Sequence, residues 1–237
     1  MPLPKIMHPI FKLEIPSTKK TVSYRPYTVQ EEKLLLIVRM TEDLEEAIDT
    51  VKQVINNCIL DDVDIDSLAM FDIEYIFVNL RKASVSDVVE LIYSEDDKTY
   101  PFSVNLNDVK VKFDPLHTKN IDLGEGLGIM MKYPTLDKML KIEFDLKMNL
   151  LNDKLIDGNI FDLIKSSIDY VYDEERVYKE FSEDELEDFL MNLKIDSLDK
   201  IQQFFKTIPQ IEHTVHVEVN GIKKDITLRG MKDFFSF

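Results

Sequence analysis

The groups in this 237-residue chain that could ligate a metal, carry a proton or attack a bond are one cysteine, four histidines and 45 acidic residues. Asp62-Val63-Asp64-Ile65-Asp66 has the alternating carboxylates that open a calcium loop. Such a loop needs glycine at its sixth position for the sharp turn and glutamate at its twelfth for bidentate ligation. Here those positions hold Ser67 and Ile73, so the run reads as a solvated acidic connector. Cys58 with His8, His117, His213 and His216 cannot make a cysteine-rich tetrahedral zinc site. His213 and His216 are three apart on a predicted strand and point to opposite faces. No metal and no cofactor are expected.

Nucleophilic chemistry has no signature either. No Gly-x-Ser-x-Gly elbow occurs, and Cys58 falls on the apolar face of a predicted helix, where a buried thiol is inert. Leu123-Gly124-Glu125-Gly126-Leu127-Gly128 lacks both the dinucleotide-binding spacing and the Lys-Ser/Thr of a phosphate loop; Glu125 would repel a phosphate. It reads as a flexible turn. Adjacent acids (Glu31-Glu32, Asp61-Asp62, Asp96-Asp97, Glu174-Glu175) are what chance gives in so acidic a chain, and nothing marks one pair as perturbed. No catalytic residue is assigned, and the protein is read as a non-enzyme.

The net charge of −16 argues against a nucleic-acid backbone as partner, because phosphates are neutralised by Lys and Arg. It suits solubility or a basic protein partner. A single cysteine allows no internal disulfide and fits a reducing cytosol. No run approaches the roughly 20 apolar residues of a membrane span. The opening Met1-Pro2-Leu3-Pro4 has no apolar signal core, so the protein should stay where it is made.

The chain that must position these groups reads as α+β: a mainly helical body with an N-terminal β-hairpin, a small central antiparallel sheet and a C-terminal β-hairpin. Phe11 to Ile15 and Thr21 to Tyr27 flank a turn at residues 16–20. A helix begins near Val29, and its apolar run from Leu34 to Val38 predicts burial on most sides. Leu44, Ala47, Ile48, Val51, Ile55, Cys58 and Ile59 make a helical stripe with Thr41 as its cap; Ile73, Ile76, Phe77 and Leu80 make another. Val88 to Tyr93, Tyr100 to Leu106 and Val109 to Phe113 read as strands. Residues 139–151 carry both periods and lean to helix. Ile160 through Val171 reads as helix, Ser182-Glu183-Asp184-Glu185 as a capping box, and Ser197 as the cap of a helix that Pro209 stops. Asn220-Gly221 between alternating runs is a type I′ hairpin signal. The expected division is 1–86, a β insertion at 87–133, and 134–237, whose last part could join the first.

Several segments resemble the T-even-type phage baseplate family. They are Leu13-Glu14-Ile15-Pro16-Ser17-Thr18, Tyr24-Arg25-Pro26-Tyr27 through Glu31-Glu32-Lys33-Leu34-Leu35, Phe71-Asp72-Ile73-Glu74-Tyr75 through Val85, and Phe204-Phe205 through His213, with Leu228 to Phe235. The resemblance implies a baseplate hub component or hub assembly factor, made in the host cytoplasm and destined for the tail. Its partners would be other baseplate or hub proteins. It implies no catalytic residue. Members of the family can carry a Cys-x-x-Cys knuckle in the middle hairpin; here Ile92 to Lys98 has no cysteine.

Function on this reading resides in surfaces. Tyr24, Arg25 and Tyr27 are candidates for one partner-binding patch, with an internal pair between Arg25 and Glu31 or Glu32 as the structural alternative. Met231, Phe234, Phe235 and Phe237 are candidates for an aromatic anchor, the alternative being that the tail folds onto its own core. Two other classes stand beside the baseplate reading: an acidic DNA mimic that inhibits a host enzyme, and a carboxylate-based metal-dependent hydrolase.

Overall fold

The structure is a computed structural model that describes residues 3–4, 6–38, 44–96, 98–140 and 158–234. In chain order the elements are β1 (Phe11–Glu14), β2 (Thr21–Tyr24), α1 (Val29–Val38), α2 (Leu44–Cys58), a 3-10 turn (Ile65–Ser67), α3 (Met70–Ser84), β3 (Val88–Glu95), β4 (Lys98–Asn105) and β5 (Lys110–Lys112). Then follow β6 (Asn120–Gly124), β7 (Leu127–Met131), a helical stretch at 136–140, α4 (Gly158–Ser166), β8 (Ile168–Tyr172) and β9 (Val177–Tyr178). The chain closes with α5 (Glu183–Met191), α6 (Ile195–Lys206), β10 (Gln210–Val219), β11 (Ile222–Arg229) and α7 (Gly230–Phe234).

A mainly helical body is not what forms. Among the described residues eleven strands lie in four small antiparallel sheets, so neither helix nor strand dominates. The chain divides into two compact units, Met1–Lys112 with Gln210–Phe237, and Phe113–Pro209. The chain leaves the first unit along β5 and returns along β10, and these two strands pair antiparallel with Ile211 opposite Val111. The second unit is therefore an insertion between neighbouring strands of one sheet.

In the first unit β1 pairs with β2, β3 with β4, and β10 lies between β5 and β11. The Asn220-Gly221 signal is realised: Val219 faces Ile222 and both turn residues have positive φ, 51° and 80°. Helix α2 buries Ile48, Val51, Val54, Ile55 and Cys58, and α3 buries Ile73, Ile76, Phe77 and Leu80. The apolar run in α1 behaves otherwise. Leu35 is buried, but Leu36 and Ile37 stand out to solvent. A 10-residue helix with one packed side has room for only one apolar stripe. Thr41 and residues 141–151 lie outside the described residues; 136–140 is helical.

In the second unit β6, β7, β8 and β9 form a meander. The glycine-rich stretch is the tight turn of its first hairpin, with Gly124, Glu125 and Gly126 at positive φ. The predicted helix from Ile160 to Val171 ends at Ser166; Ile168 and Val171 belong to β8, with Val171 opposite Ile129. Ser182 and Glu185 make the expected capping box, Glu185 N–H to Ser182 Oγ at 3.2 Å and Ser182 N–H to Glu185 Oε2 at 2.7 Å. Ser197 is not a cap. Helix α6 begins two residues earlier, and Ser197 is buried in its first turn. Ile121, Ile129, Met131, Ile164, Ile168, Leu190, Ile201 and Phe204 fill the core, each fully buried side chain contributing about 1.5–3 kcal/mol.

Gly128 lies under the ring of Tyr172, whose hydroxyl donates to Asn120 Oδ1 at 2.6 Å. A methyl at position 128 would fall within the ring. Gly128→Ala should destabilise the protein by about 1–3 kcal/mol in urea unfolding, and Gly128→Ala/Tyr172→Ala should lose less than the two single changes added together.

Candidate functional site

Strand β2 ends at Tyr24, and the next four residues carry the chain across the end of α2 into α1. Tyr24 is buried and stacks on Phe11 with centroids 5.6 Å apart. Arg25 N–H donates to Cys58 O at 2.9 Å, fixing the strand to the last turn of α2. The Arg25 guanidinium donates from Nη2 to Glu31 Oε1 at 2.9 Å and from Nη1 to Pro26 O at 2.9 Å. Thr28 caps α1, and Glu31 returns the capping box, accepting from Thr28 N–H at 2.7 Å and Thr28 Oγ1 at 2.6 Å.

Glu31 is 2% exposed. Burial pushes its carboxyl up, but hydrogen bonds from Arg25 and Thr28, with the Arg25 charge, outweigh that and hold it at about 2. The Glu31 hydrogen bond raises the Arg25 guanidinium in turn. Burial pushes the Cys58 thiol up to about 11, so it is protonated at neutral pH and a poor nucleophile. Tyr27 is buried and donates its N–H to Ser84 Oγ at 2.8 Å; burial, reinforced by Glu32, raises its phenol.

Two more interior carboxylates hold two further seams. Asp72, fully buried at the start of α3, accepts from Ser17 N–H at 2.9 Å, Ser17 Oγ at 2.5 Å and Ala69 N–H at 3.2 Å. Burial raises its carboxyl and these donors pull it back. Glu74 is 3% exposed and accepts from Met231 N–H at 3.0 Å. That bond seats α7, which starts at Gly230 with φ +63° and sends Phe234 wholly inside. A Cβ on Gly230 would crowd Glu74 Oε1.

Of the candidate partner-binding residues, Tyr24, Tyr27 and Phe234 lie in the interior of the first unit, Met231 is half-buried, and Arg25 makes the internal pair with Glu31. Phe235 and Phe237 lie outside the described residues. The structure does not bring the two groups into one patch. Asp72 and Glu74 went unnoticed in sequence, where their helix was read only for its apolar stripe. Ser17, the partner of Asp72, lies 55 positions away.

The aspartates of the calcium-like run are spent locally: Asp64 Oδ1 accepts from Asp66 N–H at 3.2 Å, and Asp66 pairs with Lys52 at 2.8 Å. Among the described residues no three His, Cys, Asp or Glu are placed to hold a metal ion, and no helix is long and apolar enough to cross a membrane.

In the second unit His117 stacks on Tyr133 and Phe204, 5.5 and 5.2 Å away. Thr207 gives its proton to Gln203 O at 2.7 Å and so accepts from His117 Nδ1 at 2.9 Å; Nε2 is buried with no partner. Burial lowers the imidazole, which therefore stays neutral in the fold.

A family model described as T4 bacteriophage base plate protein matches residues 8–236. Searches of curated proteins and of solved structures each found no match.

Two pH responses follow. Glu31 has a depressed folded pKa, so its stabilisation is complete above the unfolded value of 4.5 and is lost as pH falls through about 2. Glu31→Gln should cost about 3–5 kcal/mol at neutral pH and flatten that acid limb in urea titrations. His117 is also depressed, so stability should fall as pH drops below its ordinary 6.5, and His117→Gln should remove that slope.

Proposed function

The chain belongs to the T4 bacteriophage base plate protein family, and from that premise we propose that it acts in tail morphogenesis as a baseplate hub component or hub assembly factor. The observation that carries the proposal is the extent of the match, which takes in both compact units and leaves no separate domain for another activity within the matched span. Its work is to present protein surfaces to other baseplate or hub proteins in the infected cell's cytoplasm. The interior carboxylates support this reading, because Glu31, Asp72 and Glu74 are each engaged by hydrogen-bond donors of the fold itself.

On this proposal Tyr24, Arg25, Tyr27, Met231 and Phe234 act on partner binding from beneath, by fixing the surface that a partner meets. Phe235 and Phe237 extend the same segment. Substitutions at Tyr24 or Phe234 should then weaken partner binding and lower Tm together. Surface substitutions that cut binding should leave Tm unchanged.

Inactivating the gene in the phage should give cells that accumulate unassembled baseplate parts and no sheathed tails, with plaques restored by a plasmid copy. Normal tails from the inactivated phage would overturn the proposal. Quantitative mass spectrometry of purified virions then separates its two forms: a fixed copy number per tail marks a component, and absence from virions marks an assembly factor.

A further inference from the structure

Residues 3–10 precede β1 without helix, strand or turn. Leu3, Ile6 and Met7 are 90%, 80% and 92% exposed, and Ile10 follows at 66%. Among the described residues of this stretch none has a hydrogen bond, ion pair or ring contact with the rest of the chain. Pro4 and Pro9 favour an extended backbone and remove two N–H donors. Apolar side chains held out singly are ordinary; a run of them on an extended arm marks a contact site. The arm continues into β1, which pairs only with β2 and leaves its other edge open.

A second unpartnered feature lies on α1. Val29, Leu36 and Ile37, spaced seven and eight residues apart, share one helix face and are all exposed, with Lys33 between them. Helix α1 packs against α2, whose first turn carries Glu45 and Glu46. The arm has the opposite character. Residues 1–12 contain Lys5, His8 and Lys12 and no carboxylate, in a chain of net charge −16. Two copies of so acidic a protein repel each other over most of their surface. The acid-free arm is the segment that can approach, and the apolar stripe beside an acidic helix is what it complements.

We propose that the N-terminal arm of one copy docks on the α1 stripe of a second copy. The contact is heterologous: each molecule gives an arm and receives one, so the chain assembles head to tail and closes into a ring where the rotation allows. An extended segment of eight residues reaches about 26 Å, enough to lie along a helix of three turns. This inference goes beyond the baseplate reading and does not depend on it.

Sedimentation velocity of the full chain over a concentration series at physiological ionic strength tests it. The intact protein should sediment as a dimer or larger species. A variant lacking residues 2–10 and the variant Leu36→Asp/Ile37→Asp should each be monomeric, with Tm unchanged because every described residue altered is solvent-exposed; Leu36→Ser/Ile37→Ser serves if the aspartates unfold α1. Mixed in equal amounts, the armless variant and the stripe variant should form a one-to-one complex, since each keeps the half that the other lacks. A monomeric intact protein, a variant that still self-associates, or a mixture that stays monomeric would each overturn the proposal.

Discussion

The Glu31 carboxylate is almost wholly removed from water in a chain that already carries sixteen excess negative charges. A buried, unpaired carboxylate costs several kcal/mol, so the fold can keep it only where its oxygens are met by donors. Arg25 and Thr28 supply them, and each donor imposes a geometry. Thr28 sets the direction in which α1 leaves its cap. Arg25 must hold its side chain toward Glu31 while its own N–H reaches Cys58 O, which fixes the end of β2 against the end of α2. Three elements are thereby tied at one point. Asp72 and Glu74 repeat the device one turn apart along α3: the first receives the β1–β2 turn through Ser17, the second receives α7 through Met231. The interior of the first unit is thus organised by three anions and the hydrogen-bond donors that each demands.

This arrangement explains which parts of the fold were legible in the sequence. Helix α2, the Ser182–Glu185 box and the Asn220-Gly221 hairpin are specified within a few residues, and sequence periodicity and turn chemistry found them. The Arg25–Glu31 pair spans six positions and was weighed correctly as one of two alternatives. The Asp72–Ser17 and Glu74–Met231 bonds span 55 and 157 positions, and no local pattern foretells them. The sheet of the second unit was hidden for a different reason. Gly124, Gly126 and Gly128 look like a loop, yet only the first two serve the turn; Gly128 is a strand residue kept bare by the Tyr172 ring. Ile164, Ile168 and Val171 continue a helical spacing across a helix end, so period alone could not place the break at Ser166. The apolar run in α1 misled because sequence shows how many apolar residues a helix has, and not how many neighbours it will meet.

The aromatic side chains show how the same limit bears on function. Tyr24, Tyr27 and Phe234 have the residue types that dominate protein interfaces, and type alone made them candidates. Each is also what a core needs, and the carboxylate network decides between the two uses in this chain: Arg25 anchors the segment between Tyr24 and Tyr27 from inside, and Glu74 draws in the helix that ends at Phe234. Once those positions are committed inward, the apolar groups of the first unit that stay in water are the ones no buried donor or acceptor pulls upon. Leu3, Ile6, Met7 and Ile10 precede the first tethered strand, and Val29, Leu36 and Ile37 lie on the side of α1 turned away from Glu31 and Leu35. An interior fixed by paired charges cannot slide to cover them, because any shift that buried Leu36 would turn Glu31 away from Arg25. The electrostatics that close the core therefore also determine which apolar surface is left for another molecule to cover.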